Sequence, residues 1–170
     1  MMRRPDFASL AGDQRGMATI EFALLSVLFF FVMTAGLDVA MWYHQRLRLD
    51  SAVEQGAMIA FNGRTAVNQN AIGTYVGVAA KLSTAPTVTV GCNGGTSNCV
   101  NSSRTCACLG GTSAAPIYTT AVCSSTCSDG SLAGYYMTIK ATATSNTMLV
   151  PAAMLGGALT QTRTAVVRLE

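Results

Sequence analysis

Residues 22–43 read FALLSVLFFFVMTAGLDVAMWY, an apolar run in which Asp38 is the only charged residue. With a rise of about 1.5 Å per residue, a helix of this length extends about 33 Å, enough to cross a hydrocarbon core of about 30 Å. Trp42 and Tyr43 lie at its far end, and aromatic residues of this kind favour the membrane–water interface. We therefore predict a transmembrane helix over residues 17–43.

The helical pattern continues beyond the membrane run, with no proline between residues 44 and 61. Apolar residues recur every four positions, beside a row of small residues on the same side of the helix. They are Leu49, Val53, Ala57 and Phe61, with Ala52, Gly56 and Ala60 in the small row. This stripe predicts an amphipathic helix that covers the protein's own sheet or contacts neighbouring subunits. Asn62-Gly63 predicts its end.

The second half of the chain shows strand patterns. Residues 87–90 follow a proline, residues 135–145 alternate between the two faces of a strand, and residues 159–169 are rich in Thr and Val. A period of two is typical of a strand with one buried face. The residues expected on the buried face of the middle strand are Tyr135, Met137, Ile139, Ala141 and Ala143.

These elements together predict an α+β fold. A long N-terminal membrane-spanning helix continues into an amphipathic helix, which packs on a small antiparallel β-sheet with a disulfide-rich loop. Residues 66–82 predict a second, shorter helix, and residues 44–170 form the domain outside the membrane.

All six cysteines fall within residues 91–134, a long segment rich in Gly, Ser, Thr and Asn. A segment of this composition buries too little apolar surface to offset its own ordering entropy, so crosslinks are its expected source of order. Its few candidates for burial are Val100, Leu109, Ile117, Val122 and Leu132.

The cysteines allow two chemical interpretations, disulfides or a zinc site built from four thiolates. The chain has a single histidine, His44, beside the membrane run, and no Cys-x-x-Cys redox motif. If the domain beyond the membrane anchor faces an oxidising compartment, three disulfides and no metal are expected. Six cysteines do not fix their own connectivity. We expect Cys92 to pair with Cys99, and Cys106 and Cys108 to pair with Cys123 and Cys127 in either order.

The composition argues against several functions. Charged residues make up 11% of the chain, the formal net charge is +3, and no basic cluster is interleaved with aromatic residues, so we expect no nucleic-acid partner. Asp50 and Glu54 share a predicted helix face with Arg46, which indicates a solvated face. The sequence has no glycine-rich phosphate loop, no Gly-x-Ser-x-Gly motif and no cofactor signature. We predict that the protein is not an enzyme.

A short motif precedes the apolar run. Residues 15–22 read RGMATIEF, so that Gly16 closes a basic leader and Glu21 is the fifth residue after it. A carboxylate at the edge of a membrane helix is costly, and it therefore needs a partner or a function. Asp38, further along the apolar run, is a second carboxylate that needs a partner or a function. It either pairs with a neighbour near the outer interface or makes an assembly contact.

Charge alone leaves the orientation open. Arg3, Arg4 and Arg15 favour a cytoplasmic N-terminus, whereas Arg46 and Arg48 on the other side oppose it.

The motif resembles the class III signal of type IV pilins. The resemblance implies that a prepilin peptidase cuts residues 1–16 from the chain, between Gly16 and Met17. It also implies that Glu21 pairs with the N-terminal amine of an adjacent subunit. A later cut near Ala35 or Ala40, and an uncut signal anchor, remain as alternatives.

A more specific resemblance is to the TadE-like proteins of the tight-adherence (Tad/Flp) pilus. The start GMATIEFAL at residues 16–24 carries it most strongly. The small-residue stripe of the following helix and the cysteine pairs ahead of Gly134-Tyr135-Tyr136 are less specific. Cys92 and Cys99 look like an addition in a variable loop.

The resemblance implies a minor pilin (pseudopilin) in the bacterial inner membrane, with its N-terminus cytoplasmic and its C-terminal domain periplasmic or carried into the pilus. Implied partners are the prepilin peptidase, the major Flp pilin, other minor pilins, the inner-membrane assembly platform and the lipid bilayer. Implied roles are surface adhesion and biofilm formation. The alternatives are a pseudopilin of a type II secretion or competence system, a bitopic periplasmic binding domain, and a thiol or zinc enzyme.

Overall fold

The computed structural model describes residues 15–64, 66–95, 99, 104–145, 147 and 159–170. The expectations for the leader before Arg15 and for Val100 lie outside the described residues. The elements are α1 (Arg15–Asn62), α2 (Gln69–Ala79), β1 (Thr87–Cys92), β2 (Cys106–Gly111), β3 (Pro116–Ala121), β4 (Tyr136–Ser145) and β5 (Leu159–Arg168).

Helix α1 contains 48 residues, which corresponds to a length of about 72 Å. Its N-terminal part is apolar on all sides and exposed along residues 16–33, where Ser26 alone is half-buried. Its C-terminal part is apolar along one stripe, and Leu49, Ala52, Val53 and Ala60 are buried there. One helix therefore joins an unpartnered apolar segment to a folded domain, as the sequence predicts.

The sheet that receives α1 has the strand order β1-β4-β5, with antiparallel pairing on both sides of β4. In the middle strand Ile139 pairs with Val90 of β1 and with Ala165 of β5. All five residues predicted for its buried face are buried, from Tyr135 to Ala143. The predicted α+β fold is confirmed.

Helix α2 is shorter than the predicted span of residues 66–82. The side chain of Asn68 accepts a hydrogen bond from the Ala71 amide at 3.1 Å and caps the N-terminus. At the other end Lys81 has a φ of 46°, a left-handed conformation that cannot continue a right-handed helix. Local capping therefore sets both ends of α2.

The main core lies between the two helices and one face of the sheet, around Leu49, Val76, Met137 and Ile139. Phe61 was expected on this buried stripe, but 47% of its surface is exposed, and this expectation is wrong. The last turn of α1 contributes Ala60 to the core, whereas Phe61 lies beside it under the guanidinium of Arg64, at 5.3 Å from the ring centroid.

The cysteine-rich segment contains regular structure that the sequence analysis did not predict. Strands β2 and β3 form a separate antiparallel hairpin, joined to the rest of the domain by a backbone bridge between Ala107 and Gly134. The Tyr118 hydroxyl on this hairpin also forms a hydrogen bond with the Thr138 hydroxyl of β4. The segment is therefore a crosslinked hairpin with loops rather than one long loop.

Most of the apolar residues expected to be buried in this segment are exposed. The exposed fractions are 63% for Ile117, 79% for Val122 and 49% for Leu132, while Leu109 is half-buried. The expectation is wrong because the hairpin is a single layer with a very small interior. Its small interior cluster consists of Cys106, Cys127 and Ala133, and Ala107 of β2 is buried as well.

Three disulfides hold the segment together: Cys92–Cys99, Cys106–Cys123 and Cys108–Cys127. The predicted disulfide-rich character is confirmed. The last two bonds give the order of pairing that the sequence had left open. Zinc binds cysteine in its thiolate form. All six cysteine sulfurs are held in disulfides, so none of them is a thiolate in this structure.

Candidate assembly site

The peptide bond between Gly16 and Met17 lies in the first turn of α1. A Cβ placed on Gly16 would meet no atom within 4 Å, and 62% of the Met17 surface is exposed. Among the described residues, none outside α1 therefore packs against this bond.

Glu21 lies one turn further along α1, on an exposed part of the helix. Its neighbours Ile20 and Phe22 are 63% and 73% exposed. No ion pair among the described side chains includes Glu21. In a bilayer an isolated carboxylate is costly, so a cation from outside this chain would lower its free energy.

Asp38 lies within the apolar run, and its environment differs from that of Glu21, which precedes the run. Its exposed fraction is 7%, although Leu37 and Val39 on either side are 55% and 64% exposed. A carboxylate covered by its own chain is not available to a neighbouring subunit. Of these two carboxylates, Glu21 is therefore the accessible one. The burial of Asp38 favours pairing within its own chain.

In the part of the chain that the structure describes, α1 is the one helix long and apolar enough to cross a membrane. Its residues from Phe29 to Val32 are between 58% and 64% exposed. An apolar surface of this extent is not stable in water, and it requires a bilayer or other apolar helices around it.

A polar network fixes the direction in which α1 leaves the domain. The Ser145 hydroxyl donates to Gln45 Oε1 at 2.5 Å, and Gln161 Nε2 donates to the Trp42 carbonyl at 3.2 Å and to Ser145 Oγ at 3.3 Å. Gln161 is buried at 7% exposure, where its hydrogen bonds have a low-dielectric setting. This network was not predicted, and its only trace in the sequence is a glutamine at an inward position of the last strand.

An ion pair reinforces this junction. Arg163 Nε of β5 lies 3.4 Å from Asp50 Oδ1 of α1. The sequence analysis placed Asp50 and Arg46 on one solvated face, but Arg46 lies over the Trp42 ring, 5.7 Å from its centroid. Asp50 instead pairs with Arg163 of the sheet, so Asp50 and Arg46 make different contacts.

The C-terminus is held by Arg104. Its Nη1 lies 3.2 Å from Glu170 Oε2, its Nη2 donates to the Arg64 carbonyl, and its guanidinium lies 4.9 Å from the Tyr135 ring centroid. Burial raises the pKa of Tyr135, and the Arg104 charge partly offsets that rise. This cluster ties together the end of the chain, the start of the cysteine hairpin and the turn after α1.

Comparison with known families bears directly on α1. A family model described as TadE-like protein matches residues 16–58. These residues are similar to the TadE-like family. The predicted family resemblance is therefore confirmed over this segment, which we call the TadE-like segment.

The TadE-like segment includes both halves of α1. It begins at Gly16, contains Glu21 and the exposed apolar surface, and ends at Met58 in the part docked on the sheet. The sheet and the cysteine hairpin lie outside the match. No curated protein and no solved structure matches the chain. The match covers about a quarter of the chain, and it shows similarity to the TadE-like family over that part alone.

Proposed function

We propose that the protein is a minor pilin (pseudopilin) of a Tad/Flp-type pilus. A prepilin peptidase removes residues 1–16, and the mature chain begins at Met17. The observation that carries the proposal is an exposed apolar half-helix with one accessible carboxylate, Glu21, continuous with a disulfide-crosslinked domain. This arrangement has no evident use in a soluble monomer, but it suits a subunit that moves from a bilayer into a helical assembly.

Glu21 has a specific role in this proposal. Cleavage creates a new amine at Met17, and a neighbouring subunit brings its own amine to the carboxylate. At a separation of about 4 Å and an effective dielectric constant of about 20, opposite unit charges attract by about 4 kcal/mol. Pairing also relieves the desolvation of both groups. Assembly thus provides the cation that this chain does not offer Glu21 among its described side chains.

The orientation follows from the same proposal. The leader stays in the cytoplasm, residues 17–43 span the inner membrane, and residues 44–170 fold in the periplasm, where disulfides form. The partners are the prepilin peptidase, the major Flp pilin, other minor pilins and the inner-membrane assembly platform. The pilus supports surface adhesion and biofilm formation. A pseudopilin of a type II secretion or competence system would show the same processing but different co-purifying proteins.

A substitution of Glu21 tests the proposal in cells. We expect Glu21→Ala to enter the membrane as well as the native chain, since removal of a charge favours insertion. We expect co-purification with the other pilus subunits to fall at least tenfold. Glu54→Ala is the matched control, because Glu54 is an exposed carboxylate on the aqueous half of the same helix. Normal co-purification of Glu21→Ala would contradict the proposed role.

A further inference from the structure

A groove lies between α1 and the turn that follows α2. Its volume is about 520 Å³. One wall is formed by Leu37 and Met41, within the apolar run of α1, and the other includes Leu82. The groove therefore begins on the membrane-spanning part of the helix and extends up to the folded domain.

The upper rim of this groove carries positive charge. His44, Arg48 and Lys81 line it, and none of the described residues that line it is acidic. Arg48 and Lys81 are basic residues, and both are exposed. The rim therefore attracts an anion, and the wall below it offers apolar contact.

A hydrogen bond joins the side chain of Arg48 to the backbone of Lys81. Arg48 Nη1 donates a hydrogen bond to the Lys81 carbonyl at 3.1 Å. Lys81 itself has the left-handed φ of 46° that ends α2. The turn thus brings a charge from a distant part of the sequence to the side of α1.

The position of the rim along α1, relative to the expected membrane surface, indicates the chemical class of the ligand. Trp42 and Tyr43 mark the expected membrane–water interface, and His44 follows them directly, with Arg48 one turn higher. Leu37 and Met41 lie at or below the aromatic pair, where acyl chains end. The cations are therefore at the depth of lipid headgroups, and the apolar wall is at the depth of the chains.

We propose that this groove binds an anionic phospholipid of the outer leaflet of the inner membrane. The lipid phosphate lies between Arg48 and Lys81, and an acyl chain follows Leu37 and Met41. This inference rests on the membrane-spanning part of the proposed function. It also explains why Arg48, which opposes the usual distribution of positive charge across the membrane, is found on this side of the helix.

Native mass spectrometry of the full chain in detergent tests the proposal directly. The chain is incubated with phosphatidylglycerol or with phosphatidylcholine of the same acyl composition. We expect tighter binding of phosphatidylglycerol. Near a membrane surface each cation contributes about a fivefold change in affinity. The affinity of the double variant Arg48→Gln/Lys81→Gln for phosphatidylglycerol should therefore fall about 25-fold. The free glycerophosphoglycerol headgroup should not compete at the same concentration, because it lacks the chain that the apolar wall binds.

The control variant is Lys140→Gln/Arg64→Gln, which removes two exposed cations far from the groove and changes the net charge equally. We expect it to retain the preference for phosphatidylglycerol. Equal binding of the two lipids, or an equal loss in both double variants, would overturn the inference. Recovery of the native chain in the soluble fraction of cells would instead contradict the proposed function, so the two failures are distinguishable.

Discussion

Gly56 of α1 faces Val76 of α2 so closely that a Cβ built on Gly56 would lie 2.5 Å from Val76 Cγ2. The same Cβ would lie 3.5 Å from Ile139 Cδ1 of the sheet. Both neighbours are fully buried. The small-residue row of α1 is therefore part of the protein's own core at this position, and it is not a free surface for another subunit.

This contact predicts that Gly56→Ala destabilises the domain. Alanine normally stabilises a helix interior by up to about 1 kcal/mol relative to glycine. Here the new methyl group must displace Val76 in a closely packed core, at a cost of about 1–3 kcal/mol. We expect a net loss, measured as a lower midpoint in thermal unfolding of the full chain in detergent.

The matched control is Gly77→Ala on α2, where a Cβ would meet no atom within 4 Å. We expect this variant to be as stable as the native chain or slightly more stable. A Gly56→Ala protein with an unchanged or higher midpoint would show that α2 does not cross α1 at this glycine.

Reduction of the disulfides should loosen the cysteine hairpin selectively. The hairpin has a minimal interior, so its two disulfides are its main source of order. The Cys92–Cys99 bond belongs to the main core, where Leu49, Val76 and Ile139 are packed together as well. Each bond contributes about 2–4 kcal/mol. We expect a reductant to raise hydrogen exchange at the amides of residues 106–111 and 117–121, and to leave Ile139 of β4 protected.

A metal chelator is the control for this experiment, and we expect it to have no effect. Thiol labelling of the unfolded, unreduced chain should find no free cysteine. Stoichiometric zinc with reactive thiols would contradict both the disulfide assignment and the periplasmic placement.

The hairpin should also weaken at alkaline pH. Burial raises the pKa of Tyr118, and the hydrogen bond with Thr138 offsets only part of that rise. Unfolded tyrosine titrates near pH 10, so above that pH the unfolded state releases a proton that the folded state retains. The contribution of Tyr118 to stability is therefore complete below about pH 10 and is lost as the pH rises through the folded pKa.

Urea unfolding of the native chain and of Tyr118→Phe between about pH 8 and 11 measures this effect. We expect a smaller decline for the variant. Some decline should remain in the variant, because burial also raises the pKa of Tyr135. Identical pH profiles for the two proteins would show that Tyr118 is not buried against β4.

Periodicity made much of the fold predictable from the sequence. The end of α1 at Asn62 follows from the apolar stripe and the Asn-Gly stop, and the alternation of residues 135–145 predicted the buried face of β4. Such patterns are local, and tertiary packing strengthens them without changing their period. Strand β1 was predicted from its position after a proline, and β5 from its Thr and Val content.

Other features depend on contacts between distant residues, which a single sequence does not reveal. The hairpin of β2 and β3 is stabilised by disulfides and by the Ala107–Gly134 bridge, so its strands show little apolar alternation. The bond between Gln161 and the Trp42 carbonyl joins residues 119 positions apart. Phe61 has the right period for the core, but it is exposed in the last turn of α1, beside Arg64.

The site at the start of α1 was predictable for a different reason. Gly16, Met17 and Glu21 belong to one short motif, so the sequence alone places Glu21 about one helical turn after Met17. The structure adds that Glu21 is exposed whereas Asp38 is buried. Burial of Asp38 depends on the tertiary fold, and no local pattern predicted it.

The mature N-terminus is the most direct test of the central claim. The full chain is expressed with its cognate prepilin peptidase, and the intact mass of the membrane-embedded product is measured. The account predicts loss of residues 1–16 and a chain that begins at Met17, with slower processing of Gly16→Ala. A full-length chain, or a cut near Ala35 or Ala40, would contradict the account.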